Sequence, residues 1–102
     1  MTDFVIEKDI EKKLVALVKK HGGRCEKLVN IGCKGFPDRT VLLPNGKTIY
    51  VETKRPKGGK YSPMQDKWRD WLHALGHSYY RIKDVEQLAT FELVLLDELG
   101  RK

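Results

Sequence analysis

A chain of 102 residues, 40% hydrophobic and 33% charged, carries enough apolar surface for one core and too little for a second domain. Its apolar runs fall far short of a bilayer span, and "MTDFVIEKDIEKK" lacks the basic and apolar regions of a signal peptide, so the expectation is a soluble cytoplasmic protein. The net charge of +6 is uneven: residues 1–60 hold 14 Lys and Arg against 7 Asp and Glu, whereas residues 61–102 hold 6 against 7. The first part therefore suits a polyanion, or else a solvated basic surface.

Residues 3–20 read as a helix, with Ile10, Leu14, Leu17 and Val18 at helical spacing, Phe4 and Ile6 extending the stripe, and "HGG" as the stop. Glu11 lies beside Ile10 and Leu14, at the margin of that stripe, where its carboxylate can reach across a sheet; Glu7 stands one turn before it. "RCEKLVNI" at 24–31 reads as a strand and "GCKG" at 32–35 as a loop. With no secretory signal, Cys25 and Cys33 are expected as free thiols rather than a disulfide; the cysteines form no CxxC and His73 and His77, though four apart, have Gly76 between them as a helix end, so no zinc site is expected.

A hairpin follows, "FPDRTVLLPNGKTIYVETKR" at 36–55. The order Pro44, Asn45, Gly46 suits a three-residue loop, a type I turn followed by a left-handed glycine, which sets Leu43 against Lys47 and, counting outward, Asp38 against Glu52. A two-residue Asn-Gly turn would slip the register by one and turn Asp38 away from Glu52. In the first register Asp38, Glu52 and Lys54 share one side of the sheet, and Val41, Leu43, Ile49 and Val51 share the other. Thr53 belongs to that opposite side, so its side chain is expected to be replaceable.

After the basic loop "RPKGGKY", Ser62, Pro63 and Gln65 spell the start of a helix, as cap, first helical residue and third-position partner, with Met64, Trp68, Trp71, Leu72 and Leu75 expected as its buried stripe. Trp68 and Trp71 are expected in the core or a dimer interface rather than stacked on bases. "HSYYRI" at 77–82 reads as a strand, Asp84 as the cap of a last helix through Leu88 and Phe91, and residues 91–96 as helical or extended.

Two carboxylates side by side on a sheet repel unless a cation lies between them. Asp38, Glu52 and Lys54 therefore read either as an exposed salt-bridged cluster or as the ligands of a hard divalent ion with a lysine beside them. The ordered set "IEKKLVALVKKHGG", "GFPDR", "VETKRP" and "SPMQ", spanning about residues 7–82, resembles the PD-(D/E)xK nuclease superfamily and, more narrowly, its stand-alone VRR-NUC type.

That resemblance implies an α/β fold with a restriction-endonuclease-like core, a central mixed sheet flanked by helices in the order αβββαβ. It implies Asp38, Glu52, the Thr53 carbonyl and Glu11 as metal ligands, Lys54 as the catalytic lysine, and Gln65 at the active site or only as a helix cap. Arg39, Arg55, Lys57 and Lys60 would contact DNA. The implied activity is Mg²⁺-dependent endonucleolytic cleavage of DNA, with Mn²⁺ also serving, by a homodimer that resolves Holliday junctions or other branched DNA. A nuclease without branch preference and a non-catalytic basic DNA-binding module are the alternatives. The compact chain fits a phage enzyme acting in the host cytoplasm.

Overall fold

The computed structural model describes residues 7–28, 32–54 and 58–101. The expected helical positions 3–6, the end of the first strand at 29–31, and Arg55 and Lys57 lie outside the described residues. Helix α1 (Glu7–Lys20) buries Ile10, Leu14 and Val18 completely, as the 3.6-residue period requires, and Leu17 packs at the edge of the same core. Strands β1 (Arg24–Lys27), β2 (Arg39–Leu42) and β3 (Thr48–Thr53) form an antiparallel meander, and helix α2 (Pro63–Ala74) carries the chain across to β4 (Ser78–Ile82), which lies parallel to β3. The sheet order is β1-β2-β3-β4, the mixed sheet expected from sequence.

The three-residue turn sets the register. Gly46 has φ +88°, its amide donates to the Leu43 carbonyl at 3.0 Å, and the Leu43 amide donates to Lys47 at 2.9 Å. Val41 accordingly faces Ile49 and Arg39 faces Val51. Carried one step further outward, beyond the start of β2, the same register would set Asp38 opposite Glu52.

Alternation then divides the sheet into two faces. Val41, Leu43, Ile49, Val51 and Ile82 are buried on the face that also meets Phe91 and Leu95 of helix α3 (Val85–Glu98) and the apolar stripe of α1. Residues 91–96 are helical: Phe91 and Leu95, one turn apart, are both buried, and Asp84 caps the helix by accepting from the Gln87 amide at 2.7 Å. The other face carries Tyr50 and Tyr79, neighbours in the β3–β4 ladder, and beside them Phe36 sits edge-on to both Tyr50 and Trp68 of α2. Trp68 donates its indole N–H to the Lys34 carbonyl at 3.1 Å, pinning the loop before Pro37 onto α2. Gly35 makes that contact possible. Its φ is +86°, and a Cβ there would lie 2.7 Å from the backbone carbon of Met64.

Candidate active site

The acids gather where the β2–β3 ladder runs out. In this register Pro37 would be the next hydrogen-bonded partner of Thr53 and is fully buried there, but proline has no N–H to donate. The Asp38 side chain takes over on the other half of the pair: the Thr53 amide donates to Oδ1 at 3.1 Å and the Thr53 hydroxyl to Oδ2 at 2.7 Å. The Thr53 carbonyl is left facing a residue that cannot serve it.

Thr53 is the main departure from the sequence expectation. Its side chain does point to the Val51 face, as alternation requires, and it is fully buried. It is not idle there, because the same hydroxyl lies 3.3 Å from Glu11 Oε1, reaching in from α1. One threonine hydroxyl thus joins the acid of the helix to the acid of the strand. Burial pushes the Asp38 carboxyl up to about 6; the two hydrogen bonds from Thr53 pull against this shift, and the neighbouring Glu11 carboxyl adds to it.

The other oxygen of Glu11 accepts from Arg39 at 3.3 Å, and both side chains are largely buried. Arg39 shares the parity of Val41 and Val51, so it faces α1 rather than solvent, a placement readable from the register. Its Nε is buried without a hydrogen-bond partner, so the guanidinium keeps donor capacity beyond the ion pair. Cys25 lies in the adjoining core, where burial raises its thiol to about 11, and both cysteines are free.

Glu52 and Lys54 project to the other side of the strand, as predicted. Glu52 is buried at 4% exposure and neighbours Arg81 in the β3–β4 ladder. That arginine is held on several sides: it donates to the Tyr79 hydroxyl at 3.0 Å and to Asp66 at 2.7 Å, and its guanidinium lies 3.8 Å from the centre of the Tyr61 ring. The bond from Arg81 holds the Asp66 carboxyl below its usual range, and burial pushes the Tyr61 hydroxyl up to about 12. Lys54 is half-buried, with its ammonium 6.0 Å from the centre of the same tyrosine ring and its amide bonded to Ile82 at 3.1 Å. Tyr61, Asp66 and Arg81 were not singled out in sequence. Arg81 is far from the motif along the chain, and the parallel pairing of β4 brings it, with Asp66 and Tyr61 gathered on its guanidinium, beside Glu52.

Gln65 fills its capping role: its Oε1 accepts from the Ser62 amide at 2.7 Å, and its own amide donates to the Ser62 hydroxyl at 3.2 Å. Lys60 is exposed. Among the described residues, no three His, Cys, Asp or Glu side chains converge as a ready metal cage. Glu11 and Asp38 meet through Thr53, whereas Glu52 belongs to the opposite pleat. The donor chemistry nonetheless fits a hard divalent cation, with two carboxylates crowded on one hydroxyl, a third buried carboxylate on the facing strand position, and a carbonyl that the ladder does not serve. No helix among the described residues is long and apolar enough to cross a membrane.

Comparison with known proteins gives the same frame. No family model matches the chain. Over 74 residues, covering 72% of this chain and 78% of the relative, it is 52% identical to "Putative nuclease p44" of Acyrthosiphon pisum secondary endosymbiont phage 1. A solved structure described as a VRR_NUC domain superposes with a TM-score of 0.77 at 26% identity, covering 82% of this chain and 90% of that one. Fold and relatives agree, and the chain belongs to the VRR-NUC family of nucleases.

Proposed function

We propose that the protein is a divalent-metal-dependent DNA endonuclease, using Mg²⁺ and accepting Mn²⁺, with Asp38, Glu52 and the Thr53 carbonyl as the metal-holding groups and Glu11 as the outer acid. The observation that carries this reading is the junction at Thr53. There a half-buried aspartate, a helical glutamate and a strand carbonyl that faces a proline meet at one strand end. Bound there, a divalent cation would offset the carboxylate charge, draw a phosphate oxygen into the site and lower the pKa of a water.

The chain's own residues do the rest. Lys54, two residues beyond Glu52 on the same pleat, directs its ammonium at the entering phosphate and stabilises charge developing on its oxygens. Tyr61 restricts the sweep of that side chain. Arg81, tied to Asp66, Tyr79 and Tyr61, keeps a fixed positive charge beside Glu52 and holds the strand end in place. Gln65 holds the first turn of α2 against the site loop and is the remaining candidate for contact with substrate.

The preferred substrate in this reading is branched DNA, Holliday junctions foremost, cut by a homodimer. A chain of this size has one such site, and two symmetric cuts need two copies. Trp71 of α2 and its C-cap Leu75, expected buried from the helical spacing but 48% and 73% exposed, supply apolar surface for a second copy. The phage source of one relative suits a DNA-processing role of this kind.

The test is to incubate wild type and Lys54→Ala with a labelled four-way junction and its matching linear duplex, each with Mg²⁺, Mn²⁺ or EDTA. Paired cuts near the branch that need metal and Lys54 are expected. Equal cutting of the linear duplex would leave a nuclease without branch preference, and binding with no cut in either metal would return the chain to a DNA-binding module.

A further inference from the structure

The basic residues of the described chain differ in how they are neutralised. Lys20, Arg24, Lys47, Arg69 and Arg81 each hold a carboxylate within 4.0 Å. Lys8, Lys12 and Lys27 are exposed, and none of them forms an ion pair among the described residues. These three stand together. With Glu11, Val15 and Arg39 they line an open cleft of about 400 Å³ between α1 and the strands β1 and β2. The acid in it, Glu11, is already engaged by Arg39.

A second cleft, of about 360 Å³, has Lys19 and Arg24 on its walls and shares Val15 with the first. Its one acid, Glu26, is paired with Arg24 at 2.8 Å. Lys8, Lys12, Val15 and Lys19 recur three to four residues apart, so they form one stripe along α1, and the two clefts run end to end beside it. From Lys8 to Lys19 this stripe is roughly 16 Å long at 1.5 Å per helical residue. That length matches roughly five base-pair steps of a DNA strand at 3.4 Å each.

We propose that this groove between α1 and β1 is the track for the DNA strand flanking the scissile phosphate, with successive phosphates met by Lys8, Lys12 and Lys27 and then by Lys19. The inference rests on the nuclease reading above and adds to it the path of the substrate. Glu11 lines the first cleft, so a strand lying in it passes the helical acid that reaches Thr53. Its cations are mostly lysines, which act as point charges without the planar fork that reads base edges, so the track holds the backbone in register and is indifferent to sequence. Arg39 lies at the floor beside Glu11, its guanidinium paired with that carboxylate.

The test is a salt titration of binding. A fluorescein-labelled linear duplex is titrated in EDTA with three proteins: wild type, Lys8→Gln/Lys12→Gln/Lys27→Gln, and the control Lys13→Gln/Lys34→Gln/Lys67→Gln, which removes the same charge from exposed positions elsewhere. Losing three phosphate contacts should make the slope of log K against log salt shallower by roughly 2.7 in the groove variant. Between 50 and 200 mM salt the wild type should therefore lose roughly 40-fold more affinity than that variant, and the control should track the wild type. Equal slopes in the groove and control variants would overturn the track. A wild type that binds no duplex would overturn the track and leave the nuclease reading to the junction-cutting assay, whereas Lys54→Ala cutting as fast as wild type would overturn the assigned catalytic site and leave the track standing.

Discussion

Replacing Thr53 with Val isolates the hydroxyl that joins the acids, because the shape is kept and the backbone N–H still holds Asp38 Oδ1. The bond removed is 2.7 Å long and comes from a fully buried side chain. With Asp38 ionised, a bond of this kind contributes about 2 kcal/mol, and roughly half that once its partner is neutral. The Asp38 carboxyl is raised to about 6 in the fold, above its ordinary value of 3.8. A raised pKa means that the stability associated with this group is fully present below the unfolded value and is lost as pH rises through about 6. The Thr53 hydroxyl limits that loss by holding the ionised form. Thermal unfolding of the metal-free protein should therefore show Thr53→Val lower by roughly 8–16 °C at pH 8, taking 4–8 °C per kcal/mol, and by about half as much at pH 5. Thr53→Ser keeps the hydroxyl and loses a buried methyl, so its deficit should not change with pH. A Thr53→Val deficit equal at both pH values, or absent, would refute the hydroxyl's role and leave Thr53 as a packed residue of the core.

Asp38→Asn should abolish metal-dependent cutting while raising the metal-free melting temperature at pH 8, since no charge is then buried beside Glu11; a variant no more stable than wild type contradicts the cause assigned to the Asp38 shift. Cutting by the wild type should decline as pH falls, with a midpoint at or below about 6 because a bound cation favours the ionised carboxylate, and a flat rate profile down to pH 4 counts against Asp38 as a ligand. Gly35→Ala should cost at least about 2 kcal/mol in a denaturant melt, because the new Cβ meets Met64 backbone at 2.7 Å and φ is +86°; an unchanged midpoint would mean that the loop is not held on α2. Gln65→Ala should cost about 1 kcal/mol through loss of the cap, with Gln65→Glu restoring it, and equal melts for all three proteins would remove the capping role.

Much of this was legible in the sequence because local chemistry and tertiary structure agree. Pro44, Asn45 and Gly46 determine a turn, the turn determines the register, and the register places Asp38 against Glu52 without reference to any distant residue. Ser62 and Gln65 likewise announce their own helix start. Residues 91–96 were ambiguous because a run of apolar residues fits both periods, and burial of Phe91 and Leu95 against α1 and β4 decides it. Arg81, Asp66 and Tyr61 were out of reach for a different reason. Their proximity to Glu52 depends on β4 adding parallel to β3, a pairing that no local signal encodes.

The misjudged residue, Thr53, shows where the alternation rule stops applying. Inside a ladder, successive side chains take opposite faces, and on that rule Thr53 cannot serve the acids at Asp38 and Glu52. Asp38, however, precedes β2 rather than lying within it, and it follows a proline that cannot make the next ladder bond. Its side chain replaces the missing backbone group, which draws its carboxylate along the strand end onto the amide and hydroxyl of Thr53. From there it meets Glu11, an acid of the helical face. The Pro-Asp pair thus does two things through one physical cause. It ends the ladder, which leaves the Thr53 carbonyl unserved, and it places an acid beside that carbonyl, so oxygen donors from both faces of the sheet adjoin one strand end.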